Sequence, residues 1–167
     1  MENLQMYMDE YRLHLEKGWI QKAYLGLLEY ISSLRTLFQK KHLAFDVPGN
    51  LYQGYMDMTY FSIIPPVLKQ RKLKIAVVFL YDPFKFDVWL SGYNRQVQSH
   101  FWKLLRGKNL LPYKLVEDPI KADAILQHTL VVEPDFADLE GLTRQIESGT
   151  LSFISYVEKL IVELDGD

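Results

Sequence analysis

The stretch Leu73–Gly92, LKIAVVFLYDPFKFDVWLSG, decides the fold. Two runs rich in β-branched and aromatic residues flank Asp82-Pro83, and such runs around a short turn signal a β-hairpin. The second arm carries one carboxylate, Asp87, between apolar neighbours. A carboxylate there is edge-exposed, paired, or part of a site, because an unpaired buried charge is too costly to keep.

Upstream of the hairpin the pattern is helical. Leu4, Met8, Tyr11 and Leu15 recur at helical spacing and stop at Gly18, which predicts a first helix. Two interleaved seven-residue series, Ile20/Leu27/Leu34 and Tyr24/Ile31/Phe38, predict a long helix laid against the sheet. Residues 46–50, DVPGN, read as a turn. Leu51 to Ile64 reads as a strand in which Gly54 marks a bulge or a close approach by another group. A period of two then places Tyr55, Asp57, Thr59 and Phe61 on one face. Pro65-Pro66 ends that strand, and a basic helical turn over 67–71 leads into the hairpin.

Downstream, Val97, Phe101 and Leu104 predict a helix from near Asn94 to Gly107. A short strand is expected over 113–117, and a further strand or mixed segment over 122–132. Asp135 or Asp138 caps a helix carrying Leu139, Leu142 and Ile146, and a last helix carries Phe153, Val157, Leu160 and Leu164. Helices thus gather at both ends of the chain around a central, mostly antiparallel sheet, with an αβββαβ order through the middle. The class is α+β rather than doubly wound. At 167 residues the chain is expected to form a single domain, 1–167.

Composition removes several function classes. Apolar residues make up 49% and charged residues 24%, which excludes a disordered chain. With no Cys, the chain has no disulfide, thiolate zinc site, iron–sulfur cluster or cysteine nucleophile. Its first residues are acidic and lack an apolar signal core, and the longest apolar run, Ile75 to Tyr81, is too short to span a bilayer. The expected location is therefore cytoplasmic, with no membrane partner. Charge is uneven: nine bases against Asp82 and Asp87 give +7 over 69–108, and nine acids against Arg144 and Lys159 give −7 over 133–167. Packing of the acidic C-terminal helices near the basic middle is the preferred explanation, ahead of a nucleic-acid face.

Phosphate-loop and dinucleotide fingerprints are absent, as is a G-x-S-x-G elbow. His14, His42, His100 and His128 stand alone in sequence without zinc-ligand spacing, so neither a metal set nor a cofactor is implied. From Trp19 to Glu117 the αβββαβ order resembles the PD-(D/E)XK nuclease core. That resemblance implies paired carboxylates holding Mg²⁺ and a lysine assisting the attacking water. Asp57 and Asp87 would stand for the acids, with Glu29 as a third. Two residues after Asp87, however, stands Trp89 rather than a lysine, and Lys85 lies two residues before it.

The wording GYMDMTYF (Gly54 to Phe61), LKIAVVFL, FDVWLSGYNRQVQ (Phe86 to Gln98) and LTRQIESGTLSFI (Leu142 to Ile154) resembles a family of small uncharacterised bacterial proteins, a domain of unknown function. That resemblance implies a single-domain cytoplasmic protein and assigns no activity. The residues themselves favour a non-catalytic protein with a polar-aromatic cleft built from Tyr55, Asp57, Thr59, Asp87, Trp89, Asn94 and Arg95. Tyr and Trp would supply apolar contact, while Asp and Arg would fix a small polar molecule or a partner's loop. Arg95, one turn past Gly92, is the expected partner of the two aspartates. The alternative is a degenerate or active Mg²⁺-dependent nuclease, or a nucleic-acid binder. A homodimer through the aromatic surface is a third reading.

Overall fold

In the computed structural model, which describes residues 3–166, the hairpin forms as its sequence predicts. Strands β3 (Leu73–Leu80) and β4 (Lys85–Gly92) pair antiparallel from Leu73↔Gly92 to Leu80↔Lys85. The four residues between them close the turn, with Phe84 at φ 52 in the left-handed region that few non-glycine residues enter. Around this hairpin lie β1 (Tyr52–Gln53), β2 (Met58–Ile63), β5 (Lys114–Leu115) and β6 (Leu126–Val132). The six strands run in the order β1-β2-β3-β4-β6-β5, every pair antiparallel. Helices α1 (Leu4–Glu16) and α2 (Trp19–Lys41) precede the sheet, α3 (Pro66–Lys69) and α4 (Arg95–Leu105) interrupt it, and α5 (Leu139–Leu164) follows it. The fold is α+β, with helices at both ends of the chain.

Alternation sorts the strands into two faces. Phe61 and Ile63, then Ile75, Val77 and Phe79, then Phe86, Val88 and Leu90 pack against Ile31, Leu34 and Phe38 of α2 and Ile146, Phe153 and Val157 of α5. Burial of these side chains is the main stabilising term, at roughly 1.5–3 kcal/mol for each one fully removed from water. The opposite face, hereafter the outer face, carries a smaller apolar cluster of Ala76, Val78, Trp89, Val116 and Ala124.

Three elements differ from expectation, each for a local reason. The strand expected over Leu51–Ile64 is broken into β1 and β2 by a turn at 54–57. There Gly54 N–H donates to the Met58 carbonyl at 3.0 Å, and Asp57 Oδ1 accepts from Met58 N–H at 2.7 Å. A Cβ on Gly54 would lie 1.9 Å from Asp57 Oδ1, so Gly54 does mark a close approach, of the neighbouring carboxylate. The two C-terminal helices are one helix of 26 residues, started by Asp138, whose side chain accepts from Gly141 N–H. Mid-helix Gly149 lets α5 lie close on β6, since a Cβ there would meet Leu130 Cδ2 at 2.6 Å. Finally, the heptad series of α2 is only half buried. Ile31, Leu34 and Phe38 reach the core, joined by Tyr30 from outside the two series, while Ile20 stays exposed.

The C-terminal end of α2 is pinned to α5 by Glu147, which accepts from Lys41 Nζ at 3.1 Å and lies 2.7 Å from His42 Nε2. Burial pushes the Glu147 carboxyl up, but the Lys41 and His42 contacts outweigh it and hold the group below the ordinary carboxylate value. Of the basic middle segment, Arg71 pairs with Asp165 of the acidic C-terminus, whereas Lys69 pairs with Asp46 and Arg95 with Asp123. No described helix is long and apolar enough to cross a membrane.

Candidate functional site on the outer face

Period two in β4 sends Lys85, Asp87, Trp89 and Ser91 to the outer face, opposite the core-facing Phe86, Val88 and Leu90. Asp87 is 3% exposed and its carboxylate is held from both sides. Lys85 Nζ lies 3.1 Å from Oδ1, and Trp89 Nε1–H donates to Oδ2 at 3.3 Å. Lys85 also donates to Thr129 Oγ1 at 2.9 Å, bridging β4 to β6. The Lys85 contact has ion-pair distance without hydrogen-bond alignment, so Oδ1 has no directed donor. Asp87 is thus a paired carboxylate that sets the direction of the Trp89 indole.

Trp89 forms part of the floor of a concavity of about 340 Å³. One wall is aromatic: Tyr52 and Tyr60, opposite each other in the β1–β2 pair, stack with centroids 4.9 Å apart and planes at 19°. Lys74 of β3 reaches over the Tyr60 ring, its ammonium 5.6 Å from the centroid. Burial raises the Tyr60 phenol above its ordinary value, and Tyr52 and Asp123 act in the same direction, so it remains a neutral donor.

The far wall is built by α4 and the 118–124 segment. Asn94 caps α4 by accepting from Val97 N–H at 2.9 Å, and this fixes the next residue, Arg95, at the rim. Arg95 donates to the Ala122 carbonyl and pairs with Asp123 at 3.1 Å. Gln98, 3% exposed, donates to the Ala122 and Pro119 carbonyls at 2.8 and 3.1 Å, and Ser91 donates to the Asp123 carbonyl at 2.7 Å. Gly92 is required here, because a Cβ would fall 2.6 Å from the Gln98 backbone nitrogen at the start of α4.

Of the residues the sequence put in one cleft, Trp89, Asn94 and Arg95 line this concavity. Asp87 lies beside it, lining an adjoining hollow of about 510 Å³ with Lys85, Lys114 and Thr129. The other three lie elsewhere. Tyr55 is fully exposed in the 54–57 turn, and Asp57 is spent on that turn. Thr59 faces the core side, 3.0 Å from the Tyr81 hydroxyl. The expected Arg95–aspartate contact goes to Asp123 rather than Asp57 or Asp87, because the α4 cap points Arg95 toward the 118–124 segment.

Asp57 and Asp87 do not come together. Tyr81 N–H donates to the Asp57 carbonyl, and Val78 is the β3 partner of Asp87. Two strands and three residues therefore separate the carboxylates, on the order of 14 Å at ordinary strand spacing and rise. Carboxylates sharing one Mg²⁺ would lie within about 5 Å of each other. Among the described residues, no three His, Asp or Glu side chains gather as metal ligands.

Tyr52, Tyr60, Lys74, Gln98 and Asp123 were not part of the predicted cleft. One signal was available: Lys74 is the lone charge within the otherwise apolar run LKIAVVFL. The family described as a domain of unknown function (DUF7000) matches residues 4–161. No curated protein and no solved structure matches the chain.

Proposed function

The chain belongs to the DUF7000 family, which carries no assigned activity, and from the chemistry of its own outer face we propose that it binds a small anionic ligand bearing a flat ring. The observation that carries this reading is Lys74. Its ammonium sits over the Tyr60 ring at the edge of the concavity and makes no ion pair among the described residues. Tyr52, half exposed and backed by Tyr60, offers a ring face and the Trp89 indole an apolar floor, so a planar group packs there while its anionic substituent meets Lys74. Arg95, partly neutralised by Asp123, adds a second donor at the rim. The chemistry supported is binding rather than turnover, since the Ser91 hydroxyl is committed to the Asp123 carbonyl and is not poised as a nucleophile.

The test is calorimetric titration with AMP, which joins a flat ring to a phosphate, beside adenosine and inorganic phosphate as its halves. AMP is expected to bind more tightly than either half. Lys74→Ala is expected to weaken AMP by about tenfold or more, as loss of a charge-assisted hydrogen bond of roughly 1.5–3 kcal/mol requires. Equal binding by wild type and Lys74→Ala, or no binding of any of the three at millimolar concentration, defeats the reading.

A second reading, single-stranded nucleic acid laid along the outer face, is supported by the half-exposed Tyr52 ring and by Lys74 and Lys114 on separate strands. It predicts affinity that rises with oligonucleotide length and falls steeply with salt. A ligand confined to the concavity shows no gain with length.

A further inference from the structure

We propose that the protein forms a two-fold dimer in which α1 of each copy docks into an apolar groove on the other. Three features support this, none of them drawn from the outer face. The first is that α1 has no buried residue, although it presents Leu4, Met6, Tyr7, Met8, Tyr11 and Leu13, each about half exposed. An isolated helix of 13 residues is marginal in water, so a helix kept with its apolar surface bare is missing a neighbour. Leu4, Tyr7, Met8 and Tyr11 share one face of α1, with Met6 and Leu13 on the opposite one. In a two-fold pair each copy loses that face and the half-exposed rim of the groove described next, Ile20, Phe84, Phe136 and Leu139, on the order of 800 Å² at the 150–250 Å² that a large side chain carries. A standard interface needs about 800 Å² from each partner.

The second feature is a groove of about 550 Å³ between the unburied half of α2 and the hairpin end of the sheet. Ile20, Tyr24, Leu27, Phe84, Phe136 and Leu139 line it, and α1 of the same copy contributes nothing to it. The corner at Gly18 (φ 72) is held by hydrogen bonds from Gly18 N–H and the Gln21 side chain to the Leu15 carbonyl, which fix where α1 leaves α2. At 1.5 Å per residue α1 is about 20 Å long, close to the roughly 16 Å of α2 from Ile20 to Tyr30 that walls the groove.

The third feature is Gly26, which sits in that wall inside a helix with open space where its Cβ would be. Glycine there costs helix stability and gains nothing within one copy, but it admits the close approach of another helix. Charge argues for a second copy over a bilayer. Arg12 pairs with Asp9 and Glu16 along α1, and residues 3–30 carry four acids against three bases, not the basic excess that draws a helix to anionic lipid. In a two-fold arrangement both copies give and receive α1, so every exposed arm is covered at once.

Sedimentation equilibrium of the full chain across micromolar concentrations is expected to show a species of twice the 19.7 kDa chain mass. Tyr11→Glu and Gly26→Leu, both at positions open in one copy, are each expected to raise the dimer dissociation constant at least tenfold, with any loss of far-ultraviolet circular dichroism no larger than the 13 residues of α1 account for. Because the chain has no Cys, Tyr11→Cys and Ala23→Cys chains can be mixed and joined by a bismaleimide. The cross-linked pair is expected only in the mixture. A monomer at every concentration, a dimer indifferent to both substitutions, cross-linking of Tyr11→Cys to itself alone, or a monomer that co-sediments with phosphatidylglycerol vesicles would each overturn the proposal.

Discussion

Replacing Lys85 by Met is expected to cost far more stability than replacing Asp87 by Asn, although the two residues form one ion pair. The asymmetry follows from exposure: the Lys85 side chain is 25% accessible and the Asp87 side chain 4%. In Asp87→Asn the ammonium keeps water and its bond to Thr129, and the new amide oxygen still accepts from Trp89 Nε1–H. The loss should be about 1 kcal/mol, as for one modest hydrogen-bonded contact. In Lys85→Met the stem still packs, but the carboxylate is left buried beside a single long hydrogen bond. Breaking a buried pair from that side costs about 3–5 kcal/mol. The double variant should be more stable than Lys85→Met alone, because the stranded charge is gone. Urea unfolding of the four proteins at pH 7 measures this. A Lys85→Met cost no larger than that of Asp87→Asn, or a double variant no more stable than Lys85→Met alone, would refute the reasoning.

Gly92→Ala should destabilise the fold by about 1–3 kcal/mol and weaken AMP binding in titration calorimetry, because its Cβ would push the Gln98 backbone and the α4 wall outward. Glu147→Gln should cost about 1–2 kcal/mol at pH 7 in urea unfolding through loss of its ion pair with Lys41 and a weaker contact with the His42 ring. Since the folded Glu147 carboxyl is held below its ordinary value, the stability it contributes is present above that ordinary value, near pH 4.3, and is lost as pH falls through the folded one. The difference between the two proteins should accordingly vanish in acid. Tyr60→Ala should lower AMP affinity about as much as loss of one ring stack, on the order of 1 kcal/mol or fivefold, while Tyr55→Ala, in the exposed turn, should leave it unchanged.

The hairpin, the α+β class and the caps of α4 and α5 were readable because each rests on local chemistry. Alternating apolar strands around Asp82-Pro83, and Asn94 and Asp138 at helix starts, act within a few residues of themselves. What was misread depends on contacts distant in sequence. The two helices expected after Asp138 are one, and Gly149 inside it lets α5 close on Leu130 of the distant β6. Asp57 continues the alternation of β2 on paper, but the Gly54 turn diverts it before the strand begins. At the site, Trp89, Asn94 and Arg95 could be grouped because they lie within seven residues of one another on either side of the β4–α4 corner. Tyr52, Lys74 and Asp123 join them only through strand register and the fold of the 118–124 segment, which no spacing along the chain encodes. The same limit hid the bare surface of α1, whose helical periodicity looks like that of any helix covered by a core.

That the outer face is where the protein meets its ligand is tested most directly by mapping nitrogen-15 NMR shifts during titration with AMP. The expected result is saturable movement of the Trp89 indole N–H and the amides of Tyr60, Lys74 and Gln98, moved to about tenfold or more higher AMP concentration in Lys74→Ala, with the groove around Tyr24 and Phe136 unmoved. Shifts that gather at that groove instead, or an outer face that stays silent while AMP binds, would contradict it.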